Sequence, residues 1–107
     1  MIQHFTLAKF RAGTTAAEKE TAYNTVFILL SAALVLPGVH GFKVGPPLSQ
    51  RGARGYEFAL IVEFEDLQSF TDYLVHAHHR LVTDFVNGFS EEPVLSYQID
   101  TSRVARL

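Results

Sequence analysis

The chain has 107 residues, 48% of them hydrophobic and 19% charged, with a formal net charge of −2 and no cysteine. This length suits one domain and is too short for two, and the composition supports a folded core rather than disorder. The lack of cysteine excludes a disulfide framework, a thiolate zinc site and a thiol nucleophile, and the thinly spread basic residues leave no electrostatic footprint for nucleic acid.

The opening Met1-Ile-Gln-His-Phe5 has no basic segment leading into an apolar one, so no signal peptide is expected. Val26 to Leu36 is apolar apart from Ser31, but falls short of the roughly 20 residues that a membrane span needs. A cytoplasmic setting follows as the expectation, with neither membrane nor nucleic acid as a partner.

Ile2 to Phe10 alternates with period two and predicts a strand. Ile2, His4, Thr6, Ala8 and Phe10 share one face, and Gln3, Phe5, Leu7 and Lys9 share the other. Bulky residues at both parities imply cover on both sides. After the turn Arg11-Ala-Gly13, Thr15 and Glu18 have capping-box spacing and open a helix that runs to about Leu36, where Pro37-Gly38 stops it. Its second half is apolar nearly all round, so more than one of its faces should be buried.

Val39 to Val44 reads as a short strand and Gly45 to Gly55 as a Gly/Pro-rich loop. Tyr56 to Phe64 is a strong strand signal, with Phe58, Leu60, Val62 and Phe64 alternating against Ala59, Ile61 and Glu63. Glu65-Asp66 opens a second helix carrying Leu67, Phe70, Tyr73 and Leu74. A third helical piece spans about His78 to Val86 and ends near Asn87-Gly88; Val94 to Ile99 forms a last strand, and 101–107 is a tail. The whole chain, 1–107, is thus expected to form a single α+β domain of ferredoxin-like βαββαβ order with a split second helix. Phe5, Leu7, Ala59 and Ile61 would lie on a sheet face that so small a chain cannot cover. A second copy packed sheet to sheet would cover it, so a homodimer is expected. The apolar half of the first helix leaves room for a higher oligomer.

Three of the five histidines fall in Tyr73-Leu-Val-His76-Ala-His78-His79. Imidazole moves protons readily near neutral pH, and a tyrosine hydroxyl can stabilise a developing oxyanion, so this stretch is where chemistry is expected. Tyr73, His76 and His79 are spaced by three and would share one face of a continuous helix. A histidine at a helix C-terminus, favoured by the macrodipole, is the competing reading of His76. His78 and His40 are expected at the surface. On the first strand, His4 stands beside the small residues Thr6 and Ala8. With Phe58 and Leu60 from the central strand and Tyr23 and Phe27 from the first helix, it would line a hollow between sheet and helices, unless these side chains interdigitate as packed core. No metal is expected, because no carboxylate joins His4, His76 and His79. The Arg51-Gly-Ala-Arg54 loop reads as solvated.

His4-Phe-Thr-Leu-Ala-Lys-Phe10, Pro37-Gly38-Val39, Arg54-Gly55-Tyr56 through Phe64, and Asp72-Tyr73-Leu-Val-His76-Ala-His78-His79 occur in the order seen in stress-responsive A/B barrel (Dabb) proteins. The chain resembles that family from Ile2 to about Asp100, although Ala77 stands where the family usually has proline and His78 where it usually has a small residue. The resemblance implies a dimeric α+β barrel. It also extends to a polyketide cyclase within the family, which implies catalytic roles for Tyr73, His79 and His4 in an intramolecular aldol closure of a poly-β-ketone-like substrate. The hollow expected from strand parity and residue size would then be the substrate pocket, with Thr6, Ala8, Tyr23, Phe27, Phe58, Leu60 and His76 as substrate-binding residues. No cofactor is needed for such a reaction. The alternative is a non-catalytic, stress-responsive homo-oligomer or a binder of small apolar ligands.

Overall fold

A computed structural model describes residues 1–103. Its elements are β1 (Ile2–Ala8), α1 (Ala16–Ala33), β2 (Val39–Gly45), β3 (Phe58–Phe64), α2 (Leu67–Leu74), α3 (Ala77–Phe89) and β4 (Leu95–Asp100). The strands form one antiparallel sheet in the order β2-β3-β1-β4. This is the ferredoxin-like arrangement with a split second helix. Of the tail expected at 101–107, Thr101 is tied back by its amide to the Met1 carbonyl at 2.9 Å, and 104–107 lie outside the described residues.

The local signals act as their chemistry requires. Thr15 and Glu18 form both halves of the capping box, with the Glu18 amide donating to Thr15 Oγ1 at 3.1 Å and the Thr15 amide to Glu18 Oε1 at 2.9 Å. Gly38 takes φ +79°, and a Cβ there would sit 2.0 Å from Ser69 Oγ, so the turn after α1 requires glycine both for its backbone and for the approach of α2. β1 ends at Ala8, two residues short of its expected end. Phe10 makes a single bridge to Ser90 instead.

The helices cover one face of the sheet. Phe58, Phe64, Leu30, Val26 and Val62 are the largest fully buried side chains of the resulting core. Toward the C-terminal end of β1 this layer is filled by aromatic rings: Phe10 stacks on Phe89 at 4.9 Å, Tyr23 on Phe58 at 5.8 Å, and Phe58 meets Phe89 edge-on at 5.0 Å. Toward its N-terminal end the smaller side chains leave space.

Two apolar surfaces have no cover among the described residues. Contrary to the sequence expectation, α1 buries only one stripe, Ala22, Val26, Leu30 and Ala33, while Phe27, Ile28, Leu34 and Val35 are exposed. The helix lies in the outer layer of a two-layer fold, and none of the described residues packs above it. On the open sheet face, the registers Phe5–Ile61 and Leu7–Ala59 within β1–β3 join Phe5–Tyr97 and Leu7–Leu95 within β1–β4. Cross-strand partners share a face, so these residues make one stripe, with Leu95, Tyr97 and Ile99 exposed. Among the described residues no helix is long and apolar enough to cross a membrane.

Candidate functional site

A hollow of about 330 Å³ lies between the helices and the sheet, and His4, Thr6, Leu60, Tyr73 and His79 all line it. The register explains which strand residues reach it. His4 pairs with Val62 and Gln98, and Thr6 with Leu60 and Ser96, so these side chains share the helix-facing side of the sheet. Ser96 and Gln98 are exposed on edge strand β4, which places the opening of the hollow there. Phe70, Leu74, Val82 and Val86 supply much of the apolar wall.

Five residues expected in the pocket lie elsewhere. Ala8 pairs with Phe58, and both are buried in the aromatic cluster that fills the other end of the layer. Tyr23 stacks there too, its hydroxyl donating to the Glu57 carbonyl. Phe27 points outward from α1 against Phe42, at 5.2 Å between rings. The alternation of β1 was therefore a correct guide to its face, but large rings close off half of that face. His76 is also outside the hollow, because the helix does not continue through it. Its backbone is extended (φ −78°, ψ 144°), it caps the N-terminus of α3, and its Nδ1 accepts from the His78 amide at 3.0 Å. A side-chain acceptor at the N-cap thus starts a new helix at Ala77.

That break sets the directions of the next two imidazoles. His79 Nδ1 lies 3.1 Å from the Leu74 carbonyl, which can only accept, so Nδ1 carries the hydrogen and Nε2 is left with its lone pair. Thr83, one turn further along α3, donates to Nε2 at 3.3 Å. Burial, the largest influence, lowers the His79 pKa, and nearby His78 lowers it further, against the opposing pull of the Leu74 carbonyl. His79 is therefore a neutral imidazole with a basic nitrogen at an apolar cavity.

Tyr73 is buried, and desolvation pushes its pKa up to about 12, so it remains a phenol. Its ring meets that of His79 edge-on at 5.3 Å, but its hydroxyl is engaged by His78 Nδ1 at 2.9 Å. This corrects the expectation that His78 is solvent-exposed: it is half-buried beneath α1, with Nε2 2.6 Å from the Leu29 carbonyl. His40 is exposed, as expected.

On the sheet side, His4 Nδ1 accepts from Gln98 Nε2 at 2.9 Å, which leaves the ring hydrogen on Nε2. Burial, assisted by the proximity of His79, lowers the His4 pKa to about 4, so this ring too is neutral near pH 7. Thr83, Gln98 and His78 were not singled out by sequence as partners of the candidate residues. Thr83 was accessible in principle as the i+4 neighbour of His79, whereas Gln98 required the β1–β4 register. Among the described residues, no group of three or more His, Asp or Glu converges as a metal site would require.

The family model for the Stress Responsive A/B Barrel Domain matches residues 2–99. The chain belongs to this family. Olivetolic acid cyclase from Cannabis sativa is 26% identical to this A/B barrel chain over 92 residues, covering 85% of it and 88% of the cyclase. Among solved structures, a dimeric ferredoxin-like protein of unknown function from Jannaschia is similar with a TM-score of 0.78 at 16% identity, covering 92% of this chain and 97% of that one. A dimeric protein of ferredoxin-like fold from Bacteroides fragilis gives 0.75 at 19% identity, covering 92% and 94%.

Proposed function

We propose that this A/B barrel protein is a cofactor-independent lyase that closes a flexible poly-β-ketone-like chain by an intramolecular aldol step. The observation that carries the reading is the state of His79: its donor nitrogen is occupied by a main-chain carbonyl, and its basic nitrogen, contacted only by the Thr83 hydroxyl at 3.3 Å, lies at an apolar hollow that also holds the Tyr73 phenol. His79 Nε2 takes a proton from a methylene flanked by two carbonyls. The carbonyl oxygen that gains negative charge accepts a hydrogen bond from Tyr73, strengthened by the low-polarity walls. His4 presents a neutral Nε2–H donor from the opposite side of the hollow. Folding the substrate within about 330 Å³ brings its reacting ends together and removes much of the entropic barrier to ring closure. The relationship to olivetolic acid cyclase supports this choice of substrate class.

The proposal includes a two-fold homodimer formed through the open sheet face, where Phe5, Leu7, Ile61, Leu95 and Tyr97 lie together. Covering these half-buried and exposed apolar side chains is the driving force for pairing, against the cost of association. The mainly apolar wall of the hollow favours one second reading, a binder of small apolar ligands without turnover. Incubation with linear poly-β-ketone thioesters separates the two. Ring-closed product, formed about 10²–10⁴ times more slowly by His79→Ala, is the expected result. Binding of the linear chain without turnover supports the second reading instead.

A further inference from the structure

Tyr73 can serve an oxyanion only if its hydroxyl hydrogen points into the hollow, and beside a neutral His78 ring that hydrogen is directed at the imidazole instead. The Leu29 carbonyl accepts from His78 Nε2 at 2.6 Å, so Nε2 bears a hydrogen. In a neutral ring Nδ1 is then an acceptor, and the 2.9 Å contact is a hydrogen bond donated by Tyr73 to His78. Main-chain carbonyl, imidazole and phenol form a line running from α1 through α3 to α2 and ending at the cavity. If the phenol turned its hydrogen toward a ligand while His78 stayed neutral, the Nδ1 lone pair would face an oxygen lone pair at hydrogen-bond distance. A proton on Nδ1 removes that conflict, because Nδ1–H then donates to the Tyr73 oxygen and the Tyr73 hydrogen is free for the ligand.

We propose that His78 is the positioning residue for Tyr73, and that an oxyanionic ligand enters the hollow together with one proton from solvent, which is held on His78 Nδ1. The balance is simple: the ligand brings one negative charge, the imidazole becomes an imidazolium, and the phenol keeps its own proton while changing partner. Tyr73 faces His78 from α2 and the Leu29 carbonyl faces it from α1; His76 and His79 flank it on its own helix. Among the described residues none of its hydrogen bonds goes to a carboxylate, so an oxyanionic ligand itself supplies the counter-charge. This coupling deepens the lyase reading and rests on it for its role in turnover: there the substrate enters uncharged, its methylene proton passes to His79 Nε2, and one further proton is taken from solvent onto His78 Nδ1 as negative charge forms on the enolate oxygen.

The test uses 4-nitrophenolate as a planar oxyanion probe. Calorimetric titration at pH 8 in two buffers of different protonation enthalpy counts the protons taken up per ligand. The wild type should take up about one, and so should His79→Gln. His78→Ala should bind about tenfold more weakly, as expected for loss of one hydrogen-bond partner, with no proton uptake. His78→Asn should recover affinity by engaging the phenol, again without uptake. Imidazole ¹⁵N shifts of the unliganded protein should show His78 protonated at Nε2 alone. Equal uptake by His78→Ala, no uptake by the wild type, or no binding by the wild type overturns the proposal. Full ring-closing activity in His79→Ala would instead overturn the base assignment while leaving the proton count intact.

Discussion

Lowering the pH should weaken this fold through His4 before its carboxylates respond. His4 is 7% exposed, and burial together with the neighbouring His79 holds its pKa at about 4. In the unfolded chain the same imidazole takes up its proton near pH 6.5. Above that pH the ring is neutral in both states and its titration contributes nothing. As the pH falls through 6.5 the unfolded chain binds a proton that the folded one refuses, so stability drops until the folded ring also protonates near pH 4. At about 1.4 kcal/mol per pH unit, this lowers stability by about 3 kcal/mol across the window. Glu18, Asp66 and Asp100 have pKa values held below the ordinary carboxylate range by hydrogen bonds to Thr15, Ser69 and Ser102 respectively, so their contributions are lost at lower pH. Urea unfolding at pH 7 and pH 4.5, for wild type and His4→Gln, isolates the effect. Between those two pH values the variant should lose about 2–3 kcal/mol less than the wild type. Parallel losses would refute the claim that His4 is held neutral by burial.

Three further outcomes follow from particular contacts. Tyr73→Phe keeps the ring contacts with Phe64 and His79 but removes the hydroxyl. It should lower ring-closing turnover by about 10²–10³ and destabilise the fold by only about 1 kcal/mol, read by product assay and urea melt. Tyr97→Asp places a charge on a side chain that is 67% exposed in one protomer. Light scattering should show it shifting from twice the chain mass to the chain mass, with the circular dichroism spectrum unchanged. Gly38→Ala drives a Cβ into Ser69 at a positive φ, and should destabilise by more than about 1 kcal/mol in the same melts.

The sequence carried the element order because its signals are local. The Thr15/Glu18 box, the Pro37-Gly38 stop and the alternation of Phe58 to Phe64 each act within a few residues. It also placed His4, Thr6, Leu60, Tyr73 and His79 around one cavity, since strand parity fixes which face β1 and β3 present. What it could not give depended on distant partners. Ala8, Phe58 and Tyr23 share the correct layer but are closed off by Phe10 and Phe89, which reach them only through the fold. The partnership of His4 with Gln98 spans 94 residues and needs the β4 register. His76 and His78 exchanged their expected surroundings because a histidine N-cap, rather than a proline, interrupts the helix and turns His78 under α1 toward Leu29.

The central claim is that His79 Nε2 is a base poised at a cavity which concentrates negative charge on a ligand oxygen. Exchange of the methylene protons of a small 1,3-diketone in D₂O, followed by proton NMR, tests it without knowledge of the natural substrate. Catalytic amounts of wild-type protein should accelerate the exchange at pH 7, with the acceleration reduced about 10²–10⁴-fold in His79→Ala and retained in His76→Ala. Equal exchange by wild type and His79→Ala, or none above buffer by the wild type, would contradict that claim.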